Sequence, residues 1–557
     1  MGSVRAIQVE RDLSPEPGKR RPSGLGTVTT VFLLASPLLL LSFLFGDRAL
    51  ASLAADYPVW QRLTAQGSGN GNASASRNAE GSGAHDRLLG GLLSPDFDAA
   101  ACLSRYEASR RWKPSPFRPS PYLIHKLRQY EANHRRCGPG TASYRAAMAQ
   151  LMSGRNGDGA AECKYVVWLP LQGLGNRMLS VVSTFLYALL TGRVLLVHET
   201  PEMEALFCEP FPGTSWVLPP DFPYTDGFSA YTQESYVNML ENGIVRHDGA
   251  GGDAGALPAY VYFHLEQISL RLQNHTFCEE DHRVLDRFNW MVLRSDSYFA
   301  VALFLMPAYG GELGRMFPAK GSVFHLLGRY LLHPGNGAWG IVERFYDGYL
   351  AGADEVLGIQ VRIAPFIPMT FEAMYEQITR CAREHELLPQ VMTGTTGEPS
   401  SAKVKKKKAV LVVSLKPEYY ERLHSVYYTN ATATGEVVAV FQPSHDQDQH
   451  TEALAHNERA LAEIFLLSYS DRMLTSGFST FGYVAHALAG IRPWLLMLPD
   501  RNTMRAQVAC VRPASVEPCL HSVPSLVCRA QQDLDPVAHV PFLRRCEDVD
   551  VGFKLVD

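Results

Sequence analysis

The feature that most constrains this chain is a succession of short apolar segments, each of strand length, separated by stretches of helical periodicity. In the second half the segments fall at Val356–Ile363, Ala409–Leu415, Val437–Phe441, Arg472–Thr475 and Trp494–Leu498, with helical stretches at Phe371–Glu386, Glu418–Tyr428, Asn457–Tyr469 and Phe481–Leu488. A strand that is apolar throughout must be covered on both faces, and helices alternating with strands supply that cover in a parallel sheet. The first half shows a shorter version of the pattern. Lys164–Leu169 reads as a buried strand, Gln172–Arg177 as a turn, Met178–Leu190 as an apolar helix and Val194–Val197 as the next strand, a β-α-β unit with a glycine-rich turn. The expected fold class is α/β, with two Rossmann-like sheets in tandem. Open sheets of this kind bind ligands in the crevice outside the carboxyl ends of their strands.

Three segments fall where such a crevice would lie. Gly173-Leu174-Gly175-Asn176-Arg177 joins a strand to a helix, so the backbone can approach a ligand and the helix N-terminus can face an anion or a sugar oxygen. Met178 stands where a dinucleotide fingerprint requires its third glycine, so that fingerprint fails, and a purely structural tight turn stays open. Gly358-Ile359-Gln360-Val361-Arg362 ends a strand, with Pro365 just beyond. A guanidinium there presents a planar fork that fits diphosphate oxygens and stays charged; a surface ion pair or an inter-domain clamp is the plainer alternative. Ser470 to Gly482 runs from a strand through Ser476, Ser479 and Thr480 into a helix at Phe481. Ser479 or Thr480 can cap that helix while its free N–H groups meet a phosphate, although an ordinary N-cap looks the same in sequence.

At 557 residues and 46% hydrophobic the chain is long enough for two or three domains. A formal net charge of -4 provides no basic field for nucleic acid. The basic block Lys403–Lys408 lies in a Gly/Ser/Thr/Pro-rich stretch and reads as a solvated loop. Thr27–Gly46 has no charged residue and the length of a membrane-spanning helix. Lys19, Arg20 and Arg21 precede it, which places the bulk of the chain in the lumen, a type II topology. A cleaved signal ending at Ala49-Leu50-Ala51 is the rival reading. The Gly/Ser/Asn/Ala-rich stretch that follows is expected to be a flexible stem. Sequons at Asn72, Asn274 and Asn430 suit a lumenal head. So do the ten cysteines, all beyond the apolar run and none in a Cys-x-x-Cys pair, of which Cys510, Cys519, Cys528 and Cys546 are expected to staple a C-terminal tail.

Leu171–Arg177 with its following helix, Leu206–Trp216, Val412–Tyr420, Ala462–Gly490 and Glu517–His521 resemble the plant xyloglucan fucosyltransferase family, in blocks from Tyr122 to Phe553. The resemblance implies a GT-B-like architecture of two Rossmann-like domains facing a cleft. It implies inverting transfer of L-fucose from GDP-β-L-fucose to O-2 of a terminal galactose on xyloglucan or arabinogalactan. It also implies that Arg362 contacts the pyrophosphate and that Ser476, Ser479, Thr480 and Phe481 bind the nucleotide diphosphate, with Gly173, Gly175, Asn176 and Arg177 as a cleft turn. Gly477-Phe478 departs from the Ala-Trp expected there, and Thr393–Lys408 looks inserted.

The expected divisions are a cytoplasmic tail (1–26), a signal anchor (27–46), a stem (47–87), an acceptor-side domain (88–345), a donor domain (346–505) and a cysteine-rich tail (506–557). Expected partners are GDP-fucose, a galactose-terminated cell-wall glycan and the Golgi membrane, with a homodimer left open. No metal cofactor is expected, because Asp96/Asp98, Asp446/Asp448, Asp533/Asp535 and Asp548/Asp550 read as solvated loop charges. Asp471, Glu463 and His456 lie near the donor half, and the general base is unassigned among them. A non-catalytic lumenal homologue and a transferase of another nucleotide sugar are the competing functional readings.

Overall fold

The computed structural model describes residues 86–557 except 157–160, 224–226, 248–256, 267–277, 365–366, 393–405, 500–505 and 522–534. The apolar run Thr27–Gly46, the stem up to residue 85, Asn72, Asn274, Cys528 and Asp533 lie outside the described residues. Among the described residues no helix is long and apolar enough to cross a membrane.

Two mainly parallel sheets carry the fold. In the first, β1 (Tyr165–Leu169), β2 (Val194–Val197), β3 (Tyr260–Leu265) and β4 (Trp290–Ser295) lie in the order β2-β1-β4-β3. The second contains β5 (Glu355–Val361), β6 (Lys407–Ser414), β7 (Val437–Phe441), β8 (Arg472–Ser476), β9 (Trp494–Leu496) and β10 (Cys510–Val511). Its order is β10-β9-β8-β5-β6-β7, all parallel except β10, which runs antiparallel to β9. A hairpin of β11 (Leu543–Arg545) and β12 (Phe553–Leu555) follows. The helices that matter for the site are α1 (Pro121–Cys137), α2 (Ala142–Met152), α3 (Leu174–Thr191), α4 (Val323–Leu331), α5 (Asn336–Phe345), α6 (Phe371–Glu384), α7 (Glu418–Thr429), α8 (Leu454–Ser468) and α9 (Thr480–Ala489).

Period-two alternation sorts the strand side chains between two cores. Val166 and Trp168 of β1 face a central core, while Tyr165, Val167 and Leu169 face an outer one. In β5, Val356 joins the same central core, and Leu357, Ile359 and Val361 fill an outer core of their own. The central core is continuous between the sheets and includes α3, α8 and α9 residues such as Phe185, Phe465 and Val484. The two sheets are therefore held by one apolar interior and act as one body.

The strands of the second half stand close to their expected positions. The Lys403–Lys408 block does not read out wholly as loop, because Lys407 and Lys408 open β6. Lys408 is buried there; its ammonium donates to the Leu387 carbonyl at 3.0 Å and pairs with Glu355 at 3.3 Å. β6 is flanked on both sides, and Lys408 pairs with Glu355 of β5 and Val438 of β7, which places it inside the sheet. Cys510 does not staple the tail. It bonds Cys381 and so ties β10 to α6, whereas Cys519–Cys546 does close the tail; Cys102–Cys208 and Cys137–Cys163 bind the first half together.

Helix α9 is central to both halves, and its ends are made deliberately. Ser479 is its N-cap, accepting from the Gly482 N–H at 3.4 Å. Gly490 closes it in the left-handed conformation at φ 74°, where a Cβ would meet the His325 ring at 2.5 Å. The buried Arg329 guanidinium of α4 donates to the Leu488 and Ala489 carbonyls at 2.7 and 3.2 Å and lies 4.0 Å over the Trp112 ring. His325 reaches the Ala487 carbonyl at 2.9 Å. A cation at a helix C-terminus satisfies the last carbonyls and complements the dipole. Burial lowers the Arg329 pKa to about 9, which leaves it charged at neutral pH. Arg329→Met should therefore cost about 2–4 kcal/mol, because two buried carbonyls lose their donors. Urea denaturation of the two chains side by side checks it; an unchanged midpoint would remove the capping role.

Candidate active site

Both sheets have connections that leave in opposite directions from neighbouring strands, at β1/β4 and at β5/β8. In the first sheet β1 lies between β2 and β4, and in the second β5 lies between β6 and β8. The carboxyl ends of β1 and β4 carry the Gln172–Arg177 turn and Asp296, and those of β5 and β8 carry Arg362 and Ser476–Thr480. Topological switch points of this kind open a gap between diverging connections, into which a ligand fits.

The two glycines of the first turn are explained by what approaches them. A Cβ on Gly175 would lie 2.7 Å from the Phe481 nitrogen and 2.8 Å from both the Thr480 carbonyl carbon and Oγ1. The N-termini of α3 and α9 thus abut, and only glycine permits it. Asn176 bridges the same junction: its Oδ1 accepts from the Thr480 hydroxyl at 2.9 Å and its Nδ2 donates to the Asp296 carbonyl at 3.2 Å. Gly173 faces Gln449, whose Nε2 would lie 2.9 Å from an added Cβ and whose Oε1 accepts from the Arg362 guanidinium at 2.8 Å. The turn is both a tight turn and one wall of the crevice.

Arg362 follows β5 directly. Its backbone N–H donates to Ser476 Oγ at 2.9 Å, so the two strand ends are joined at the switch point. The guanidinium is half-buried and, among the described residues, pairs with no carboxylate; burial lowers its pKa. The surface ion pair raised by the sequence is thus not what holds it. Ile363, Met369, Ser476, Gly477 and Leu496 line a small cleft beside it. Phe481 is half-buried at the start of α9, and Thr480 is engaged with Asn176.

Several expectations are corrected by burial and pairing. Arg177 does not present its guanidinium to the crevice. It is buried, donating to the Gln172 carbonyl at 2.8 Å and pairing with Glu202 at 3.3 Å, so it braces its own turn. Asp446 is not a free loop charge: Arg459 binds it through two nitrogens at 3.0 Å and His456 Nδ1 lies 3.0 Å away. Burial raises its pKa, but the Arg459 and His456 contacts outweigh this and hold it below the usual range. Asp548 is buried, accepting from the Phe478 N–H at 2.8 Å and the Tyr483 hydroxyl at 2.6 Å. Asp535 caps a short helix and pairs with Arg545. Asp471 stands at the amino end of β8, accepting from the Val356 N–H and paired with Lys113 at 2.9 Å. It borders a larger cavity of about 980 Å³ that also contains Arg472, Gly490 and Trp494. That cavity opens at the wrong end of the strands for a switch-point site, and size alone does not move the chemistry there.

The sequence pattern leaves Asp296 unmarked. It is buried just past β4 and accepts from the Ser297 hydroxyl at 3.2 Å. The available signal was the apolar run Trp290–Leu293 followed by Arg294-Ser295-Asp296-Ser297, a strand ending in polar residues. The cysteines and histidine at Cys381, Cys510 and His385 lie close enough to suggest a metal group, but the two sulfurs form a disulfide, so they offer no thiolates.

Glu463 lies within α8, buried, with its Oε1 accepting from the Ser444 N–H at 3.2 Å and hydroxyl at 2.8 Å. Burial raises its pKa from 4.5 to about 7. An acid whose folded pKa exceeds its unfolded value holds its proton more tightly when folded. Its contribution is fully present below pH 4.5 and declines as pH rises through about 7. Glu463→Gln keeps the acceptor oxygen and should match wild-type stability near pH 4.5, then exceed it by at most about 3 kcal/mol above pH 7. Denaturation midpoints across that range check this; a parallel pH dependence in both chains would refute it.

Comparison with known proteins agrees with this arrangement. The profile of the family described as xyloglucan fucosyltransferase matches residues 63–529. A galactoside 2-alpha-L-fucosyltransferase of Arabidopsis thaliana is 47% identical over 474 residues, covering 85% of this chain and 83% of that protein. One from Pisum sativum is 44% identical over 478 residues, with 85% and 82% covered. Among solved structures, an arginine-to-lysine mutant of Arabidopsis thaliana FUT1 in complex with GDP superposes with a TM-score of 0.76 at 45% identity, covering 85% of this chain and 100% of that one. The parallel sheets, the facing switch points and similarity over most of the chain lead to one conclusion: the chain belongs to the xyloglucan fucosyltransferase family and is a fucose-transferring glycosyltransferase.

Proposed function

We propose that this enzyme transfers L-fucose from GDP-β-L-fucose to O-2 of a terminal β-galactose on a cell-wall glycan, with inversion to an α-1,2 linkage. The observation that carries the reading is Arg362: a half-buried guanidinium at the switch point, free of any carboxylate among the described residues, beside the abutting N-termini of α3 and α9. Two helix N-termini of like partial charge, with a full positive charge beside them, make a field that only an anion complements. The GDP bound to the similar FUT1 mutant supplies an anion of the right kind.

The chemistry follows from that field. As the bond from the fucose anomeric carbon to the diphosphate oxygen breaks, negative charge grows on the departing GDP. Arg362 is placed to stabilise it through paired N–H donors, in the manner of a preorganised electrostatic site. This role needs no divalent ion in the proposed mechanism. Asp446 and Asp548, the described acidic-pair members with the strongest contacts, are held by Arg459 and by Tyr483 with Phe478. The attacking galactose hydroxyl is expected on the first-sheet side, where the Asp221–Asp253 segment includes Tyr231, 86% exposed and able to offer a ring face to a sugar.

The same reading places the head in the Golgi lumen behind an uncleaved Thr27–Gly46 anchor. Disulfides in both halves and the exposed sequon residue Asn430, just past α7, support an oxidising compartment. A mature N-terminus at Ser52 would defeat the anchor.

Arg362→Ala should fold normally and lose nearly all transfer, and Arg362→Lys should also be poor, because a point charge does not reproduce a bidentate fork. Near-wild-type kcat in either variant would remove Arg362 from the chemistry. Activity should persist in excess EDTA; a strict manganese requirement would contradict the proposed charge stabilisation. For the acceptor, GDP-fucose is supplied with xyloglucan and with galactose-terminated arabinogalactan side by side, and the products are subjected to linkage analysis. Fucose on O-2 of galactose is expected, and label entering neither polymer would defeat the assignment.

A further inference from the structure

Phe478 sits in the left-handed region at φ 58°. That conformation suits glycine and costs a bulky L-residue on the order of 1–2 kcal/mol. It falls at a sensitive place, between Ser476, which fixes the Arg362 backbone, and Ser479, the N-cap of α9. Two contacts of Phe478 that oppose that cost come from outside the loop.

The restraint comes from the C-terminal segment, in two arms. Asp548 Oδ2 accepts from the Phe478 N–H at 2.8 Å and from the Tyr483 hydroxyl at 2.6 Å. The His521 ring stacks on Phe478, with centroids 4.4 Å apart and planes at 15°, and its Nε2 lies 3.2 Å from the same Tyr483 hydroxyl. Gly477 has room for no side chain, since a Cβ would lie 2.9 Å from the Leu496 carbonyl oxygen and 3.0 Å from Asp548 Cβ. Each arm begins two residues after a half-cystine, His521 after Cys519 and Asp548 after Cys546, and those cysteines are bonded to each other. The joint is packed shut: a Cβ on Gly552 would lie 2.5 Å from Cys519 Sγ and 3.1 Å from Cys546 Sγ. Leu520, beside His521, exchanges backbone hydrogen bonds with Phe553 at 2.8 and 3.1 Å. Asp548, His521, Tyr483 and both cysteines are buried.

We propose that Asp548 and His521, tethered by the Cys519–Cys546 disulfide, form a clamp that holds residue 478 left-handed and thereby sets the 476–480 loop for a nucleoside diphosphate. Both are positioning residues, and the inference rests on the donor reading of that loop given above. The clamp makes a sharp demand: a residue that adopts the left-handed conformation without help should relieve the need for it.

The test uses the full-length chain in detergent and GDP as the probe, with affinity read by calorimetry. Loss of two hydrogen bonds to a buried carboxylate in Asp548→Ala should weaken GDP binding about thirtyfold. Asp548→Asn, which keeps an acceptor oxygen, should remain within about threefold. Phe478→Gly, placed in the Asp548→Ala background, should recover most of the lost affinity, because glycine enters the left-handed region freely. The Cys519→Ser/Cys546→Ser chain should lose affinity as Asp548→Ala does and be relieved by the same glycine. If Asp548→Ala proves too unstable to purify, His521→Ala carries the test, with about fivefold loss and the same relief by Phe478→Gly expected from the missing ring contact. Wild-type affinity in Asp548→Ala or His521→Ala, or a loss that glycine does not relieve, overturns the clamp. Arg362→Ala separates the two readings. If it loses GDP while the clamp variants bind normally, only the clamp falls; if it binds GDP as wild type does, the donor reading falls and the clamp with it.

Discussion

The contact on which the rest of the site depends is the approach of the α3 N-terminus to that of α9. With backbone atoms of residues 480 and 481 standing 2.7–2.8 Å from where a Cβ of Gly175 would be, the two helix N-termini meet where only a glycine fits at residue 175. Asn176 and Thr480 close the junction with one hydrogen bond. Because both helices present positive ends there, bringing them together is unfavourable unless something else compensates. The continuous apolar interior behind them supplies the compensation. The positive field that remains at the surface is the one on which the proposed donor site rests.

The arginines divide by what they face. Arg193 and Arg329 are buried against backbone carbonyls: Arg193 reaches those of Leu285 and Phe288 at 2.9 Å each, and Arg329 reaches the end of α9. Arg177 is neutralised by Glu202. Among the described residues, Arg362 differs in having only a neutral amide, Gln449, on its guanidinium. A carboxylate in that position would compete with a diphosphate for the same fork, whereas an amide orients the fork and leaves its charge intact. Electrostatic availability, rather than proximity to the crevice, is what sets Arg362 apart from Arg177, which follows β1 on the other side of the same opening.

The C-terminal segment joins this arrangement from a distance. Glu517 accepts from the Phe324 N–H at 2.9 Å and meets the Tyr298 hydroxyl, fastening the tail to α4 and the first half. Burial pushes its pKa up to about 8. From there the chain reaches His521 and, through the disulfide, Asp548. A tail that looks peripheral in sequence therefore contacts both the support of α9 at one end and its entry loop at the other.

Much of the architecture was legible in the residues themselves. Strand and helix periods are local properties, so β1, β2 and β5 to β9 lie close to where their apolar runs place them, and Ser479 caps α9 as its position before the helix indicates. Arg362 could be marked because a charged residue ending an apolar strand is a local anomaly. Pairing is not local. That Arg177 is bound to Glu202, that Asp446 is held by Arg459, and that Asp548 is buried under Phe478 and Tyr483 depend on residues far away in the chain or on the other side of a turn. The same holds for Cys510, whose partner Cys381 lies 129 residues earlier. Sequence alone determined the alternation of strands and helices and the residue types available at their ends. Which of those charges are left without a counter-charge among the described residues was decided only when the sheets closed on one another, because a charge is silenced by its neighbours in space.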